Sequence, residues 1–210
     1  LTGVSHEYLS KLIMHKLNQS FEGKLSMAID IFTNQYHKKF LHQLVSSQLD
    51  MDRLDYLRRD SFYTGVSEGV VGVNRIIKML NVANDDIVIE SKGIYSVEKF
   101  LISRRLMYWQ AYMHKTTVAT EFLLGSVLSR AKYLVKNGKK LFATPAFQYF
   151  LEHTVKNETF ADSEHCINQF LQLDDVDITA SIKVWSQQED DVVLKYLCSA
   201  ILNRKLFKIK

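Results

Sequence analysis

An almost entirely helical fold is what this sequence predicts, with one small β-hairpin or strand pair near 82–91. Proline occurs once, at Pro145, so almost nothing forbids helix along the chain. Apolar residues recur mostly three and four positions apart, and DDIVIES (85–91) is the stretch that alternates as a half-buried strand does.

Taken in order, Ser5 is placed to cap a first helix carrying Tyr8, Leu9, Leu12, Ile13 and Leu17 on one face. Leu25, Ala28, Ile29 and Phe32 continue the spacing in a second helix. Phe40, Leu41, Leu44 and Val45 lead into the charged segment LDMDRLDYLRRD (49–60). Past Gly65, Gly69 and Gly72, a long helix is predicted from about Ser96 to Val135, stopped by Asn137 and Gly138. Thr144 and Pro145 read as a cap and first helical residue, and Asp190 as the cap of the last helix. No repeat or linker is evident, so residues 1–210 are expected to form a single helical domain or a fragment of one. Leu1 is not an initiator Met and the chain closes on RKLFKIK, so both ends read as internal to a longer protein.

With 47% hydrophobic and 11% aromatic residues the chain has the means to bury a core. A formal charge of +4 is too mild to make nucleic acid or an anionic membrane the main partner, while an anionic small substrate is compatible. Cys166 and Cys198 sit in apolar helical contexts without a CxxC or Cys/His cluster, which predicts neither disulfide nor zinc site and points to a reducing, cytoplasmic setting. No apolar run approaches the roughly 18 residues of a membrane span.

Asp52, Tyr56 and Asp60 follow one another at i, i+4 and i+8, so they form one stripe on a helix, flanked by Arg53 and Arg59. On spacing alone this is a solvated helix laced by Asp and Arg pairs. However, DMDRLDYLRRDSFYTGV (50–66) resembles the signature helix of the HD-domain triphosphohydrolases that act on deoxynucleoside triphosphates. SRRLMYWQAYMHK (103–115) resembles a second block of that family, and LDDVDI (173–178) followed by NRKLFK (203–208) a weaker third. The opening VSHEYLS is similar to the segment that follows the family's metal-binding region, so the chain is expected to be the second half of an HD domain plus C-terminal helices.

The resemblance implies a metal-dependent phosphohydrolase that releases deoxynucleoside and triphosphate. It assigns Asp52 to the metal site, Arg53, Arg104 and Lys115 to the phosphates, Tyr56 and Asp60 to the deoxyribose, Tyr112 to the space under C2′ and His114 to the base. A carboxylate suits a hard divalent ion and an arginine fork suits phosphate oxygens. Manganese, magnesium, iron, cobalt and zinc are not distinguished. None of the seven histidines is followed by Asp, so the His/His-Asp ligands are missing and Asp52 would stand alone; the chain by itself is then expected to be inactive. For Tyr108 and Trp109, ordinary helix packing is an equal reading. The resemblance further implies a homo-oligomer. The alternatives are an HD enzyme of another nucleotide phosphoester, or a non-catalytic helical module whose basic run Arg130, Lys132, Lys136, Lys139 and Lys140 meets nucleotide or nucleic acid.

Overall fold

The computed structural model describes residues 4–208; Leu1 to Gly3 and the closing Ile209 and Lys210 lie outside the described residues, as do the expectations drawn from the two chain ends. The α-helices among them are α1 (His6–Ser20), α2 (Ser26–Phe32), α3 (Lys39–Val45), α4 (Met51–Thr64), α5 (Val73–Met79), α6 (Ile94–Met107), α7 (Lys115–Lys136), α8 (Pro145–Glu152), α9 (Asn157–Asp162), α10 (Glu164–Gln172), α11 (Asp175–Gln188) and α12 (Val192–Leu202). The hairpin β1 (Leu80–Ala83) and β2 (Asp86–Ile89) is the sheet among the described residues, so the all-α expectation with one small strand pair holds. No helix among the described residues is long and apolar enough to cross a membrane. Internal contacts group into two compact units, a terminal unit of residues up to Ile13 with Lys115 onward, and a middle unit of Met14–His114.

In the terminal unit, α7 presents Val127 and Ala131 to Phe147 and Leu151 of α8, Trp185 of α11, and Leu194 and Cys198 of α12. A second cluster joins Leu9 of α1 to Phe150, Val155, Phe160 and Cys166. Helix α7 stops where Gly138 takes φ +83°, and the Lys139 amide bonds back to the Leu134 carbonyl at 3.0 Å. That is the predicted stop, in the geometry glycine permits. The cap of α12 falls one residue later than expected: Asp191, not Asp190, accepts from the Leu194 amide at 2.8 Å. The reason is that Asp191 also receives both arms of Arg130, from Nε at 3.1 Å and Nη2 at 2.6 Å.

Arg130 and Lys139 of the basic run are thus engaged with Asp191 and Glu189. Hydrogen bonding from Arg130 holds the Asp191 carboxyl below its ordinary 3.8. Burial pushes the Glu189 carboxyl up, but Lys139 and backbone amides outweigh it, and the net direction is down from 4.5. Both groups bind protons more weakly folded than unfolded. Their contribution to stability is therefore complete above those ordinary values and is lost as pH falls through the lower folded ones. Urea midpoints measured from about pH 6 to about pH 3 are expected to fall, and Asp191→Asn to make that fall shallower; an unchanged slope would show that the Arg130 pair is not linked to acid stability.

In the middle unit, Leu54 and Leu57 of α4 pack against Ile76 of α5 and Phe100 and Met107 of α6. A 3-10 turn at Ser67–Gly69 lies under α6 so closely that a Cβ on Gly69 would fall 2.5 Å from the Met107 sulfur and 2.8 Å from Ser61 Cβ. The hairpin turns through Asn84 (φ 52°) and Asp85 (φ 65°), the left-handed pair that a two-residue type I′ turn requires. Its register pairs Val82 with Ile87 and Ala83 with Asp86. Asp85 accepts from the Lys39 amide at 2.9 Å, and Gln43 of α3 accepts from the Ile87 amide and donates to Asp86, both at 2.7 Å. The Val82 amide is taken by the Asn81 side-chain oxygen at 2.8 Å.

The long helix expected from Ser96 to Val135 is broken. After Met107 the chain makes a π turn over Tyr108–Tyr112, with the Met113 amide reaching the Tyr108 carbonyl at 2.7 Å, and α7 starts anew at Lys115. The wider turn carries a residue more than an α-helical one and re-aims every side chain that follows. Arg104, Tyr108, Tyr112 and Lys115 therefore do not share one continuous helical face; Lys115 opens a different helix in the terminal unit.

Candidate functional site

The stripe on α4 and the π turn after α6 meet in the middle unit. Tyr112 donates its hydroxyl to Asp60 Oδ2 at 2.5 Å. The Tyr56 ring meets Tyr112 edge-on with centroids 6.2 Å apart, and Tyr108 meets Tyr112 at 5.1 Å. Burial, followed by Asp60, pushes the Tyr112 phenol well above its ordinary value, and burial also raises that of Tyr56. Near neutral pH both are therefore uncharged hydroxyls able to donate. Tyr112 and Asp60 are both half-buried, and Tyr112 engages one of the two Asp60 oxygens.

Arg104 sits at the edge of this cluster, its guanidinium 5.9 Å from the Tyr108 ring centroid and donating to Gln48 Oε1 at 2.9 Å. Arg53 is placed differently from a side chain reaching into solvent. Its Nη1 is held by the Asp50 carboxylate and donates to the Ser47 carbonyl at 2.6 Å, and its Nε is buried. Asp50, which is buried, also caps α4 by accepting from the Arg53 amide at 2.8 Å. Asp52 lies exposed in the first turn of α4, and His114 follows the π turn on the surface. The expected pattern of Asp and Arg pairs appears twice here, as Arg53 to the capping Asp50 and, on the solvent side, as Arg59 to Asp55 at 2.9 Å.

Sequence reasoning passed over Asp50, Gln48 and the role of Tyr108. Asp50 had a readable signal, an Asp directly before a helical pattern with an amide three residues on to accept from. Gln48 and Tyr108 had none, because they depend on how α4 and α6 pack. A cavity of about 380 Å³ lies farther along α4 at Arg58, Phe62 and Val70, and no member of the tyrosine cluster lines it. Among the described residues no group of His, Cys, Asp and Glu is arranged to hold a metal. With Asp52 as a lone carboxylate, this chain's own residues do not fit a catalytic divalent ion.

Residues 71–140 match a family model described as an HD associated region, which takes in the hairpin, α6 and the π turn. The crystal structure of a phosphohydrolase from Bacteroides thetaiotaomicron superposes on the whole chain with a TM-score of 0.96 at 56% identity, over 52% of that protein. The Bacillus subtilis protein YwfO is 32% identical over 196 residues, 93% of this chain and 42% of its own length. A Dictyostelium discoideum SAMHD1 homolog, named a deoxynucleoside triphosphate triphosphohydrolase, is 29% identical over 107 residues, 50% of this chain and 21% of its own. These similarities support an HD-domain phosphohydrolase family for the chain, which spans about half the length, or less, of the relatives it matches.

Proposed function

We propose that this chain is the substrate-side part of a divalent-metal-dependent phosphohydrolase that splits deoxynucleoside triphosphates into deoxynucleoside and triphosphate. The observation that carries it is the Asp60–Tyr112 hydrogen bond, set beside Tyr56 and Arg104 and formed across two blocks that resemble the same family. A carboxylate with one oxygen held by a phenol presents the other to a sugar 3′-hydroxyl. The Tyr112 ring fills the space that a 2′-hydroxyl would need. Arg104, at the edge of this cluster, is a cation for the phosphates; the resemblance adds Arg53 and Lys115 for the same charges and His114 for the base. Asp52 is the one ligand this chain offers to a metal, whose remaining ligands come from outside it.

The nucleic-acid reading is weakened by the engagement of Arg130 and Lys139 inside the terminal unit. Lys132, moreover, is held below the usual lysine range by burial and by Lys136. The test is product analysis with manganese or magnesium, on this 210-residue chain and on the complete protein. The chain alone is expected to release no triphosphate, and the complete protein to release triphosphate from deoxynucleotides and not from ribonucleotides. Pyrophosphate or single phosphate as the product, or equal use of ribonucleotides, would replace this reading with that of another HD phosphohydrolase.

A further inference from the structure

The cavity beside the end of α4 is apolar apart from one cation. Its volume of about 380 Å³ falls among sites that take a small molecule, which run from roughly 300 to 1,000 Å³. Ser61 and Val71 line it and are buried, and the Ser61 hydroxyl already donates to the Val66 carbonyl at 2.7 Å, so the deep part offers mainly carbon to a ligand. Phe62 and Val70 line it while 81% and 57% exposed, as apolar groups waiting to be covered. Gly65 ends α4 with φ +71°, and a Cβ there would meet no atom within 4 Å, so the mouth is open. Arg58 is the charged residue of the lining. Its neighbour Arg59 takes the Asp55 carboxylate at 2.9 Å, and among the described residues Arg58 has neither a hydrogen-bond nor an ion-pair partner.

We propose that this cavity binds a small amphipathic monocarboxylate, with its apolar body against Phe62, Val70 and Val71 and its carboxylate on the Arg58 guanidinium. The inference is independent of the proposed chemistry, because at 100° per residue Arg58 stands roughly 160° round α4 from both Tyr56 and Asp60. Charge and shape select the ligand class. A guanidinium fork matches the two oxygens of a carboxylate, and their attraction strengthens where an apolar wall keeps water from one side. A nucleotide brings two or more negative charges, which a single cation does not balance. A neutral apolar ligand would take water from Arg58 and return no hydrogen bond, and a cationic one would be repelled. Covering Phe62 and Val70 supplies the favourable apolar area.

Titration calorimetry of the complete protein with phenylbutyrate is expected to show saturable binding in the millimolar range or tighter. Phenylbutyramide keeps the apolar body and drops the charge, and it should bind about 10-fold more weakly or worse. Arg58→Gln should weaken phenylbutyrate binding by a similar factor, and Arg58→Lys, which keeps the charge without the fork, should fall between. Ser67→Phe, at an exposed position of the lining, fills the cavity and should abolish binding with Arg58 intact. Arg58 and Ser67 are both exposed, so circular dichroism is expected to show unchanged folding in all three variants. No saturable binding by the parent, equal affinity for the acid and its amide, or an Arg58→Gln or Ser67→Phe variant that binds like the parent would each overturn the assignment.

Discussion

Trp185→Ala is expected to lower the unfolding free energy by about 3–5 kcal/mol. Trp185 is 1% exposed, its ring lies 5.9 Å from that of Phe147, and its Nε1 donates to the Phe142 carbonyl at 2.8 Å. Alanine removes the largest fully buried side chain, leaves a cavity among Val127, Leu194 and Cys198, and orphans a carbonyl. Against a typical domain stability of about 5–15 kcal/mol, this is a large share. Trp185→Phe separates the two losses, because it keeps most of the apolar contact and drops the donor; a cost of roughly 1–3 kcal/mol is expected. Urea denaturation followed by far-ultraviolet circular dichroism measures both. An alanine variant within about 1 kcal/mol of the parent would mean that this cluster is not what holds the terminal unit together.

The second large effect is on sugar discrimination. On the proposed function, Tyr112→Ala in the complete protein opens the space under C2′, and the ratio of kcat/KM for deoxy over ribo substrates should collapse to within about tenfold. Tyr112→Phe keeps the ring and should keep the discrimination. Asp60→Asn removes a charge-assisted acceptor and is expected to lower kcat/KM for deoxynucleotides about 10- to 100-fold. A dideoxynucleotide has no 3′-hydroxyl to donate, so Asp60→Asn should change its use little. Equal losses with both substrates would make Asp60 a positioning residue for Tyr112 and nothing more, and full discrimination by a folded Tyr112→Ala would make the tyrosine a packing residue.

The helical class was legible because it rests on local rules, namely the single proline, the three and four spacing and the one alternating stretch. The α4 stripe was legible for the same reason. Its meeting with Tyr112 was not, since no local rule says that α4 and α6 pack with Asp60 opposite the π turn. The break in the predicted long helix left no trace either. No Gly or Pro stands between Tyr108 and Lys115, and aromatic residues spaced by four suit an α and a π turn alike. The π turn lies where Tyr112 finds Asp60 and Tyr56 of α4, a tertiary contact that a continuous helical pattern does not announce. Arg53 shows a local signal misweighed, because Asp50 three residues earlier was available both to cap the helix and to bind the guanidinium. The acidic partners of Arg130 and Lys139 lie far along the chain, so a run of basic residues looked freer than it is.

The hairpin has a consequence for behaviour in concentrated solution. An isolated two-stranded ribbon has outer rims of amides and carbonyls, the usual template on which another molecule's strand adds and fibrils begin. Here the outward amides of the central pair are already satisfied, Ile87 by Gln43 and Val82 by Asn81, and the turn is moored to α3 through Asp85. A stray strand approaching either rim finds its mid-strand donor taken. The ribbon is thus disarmed as a seed, and the protein can display β-branched Val82 and Val88 at its surface without inviting its neighbours to polymerise on them.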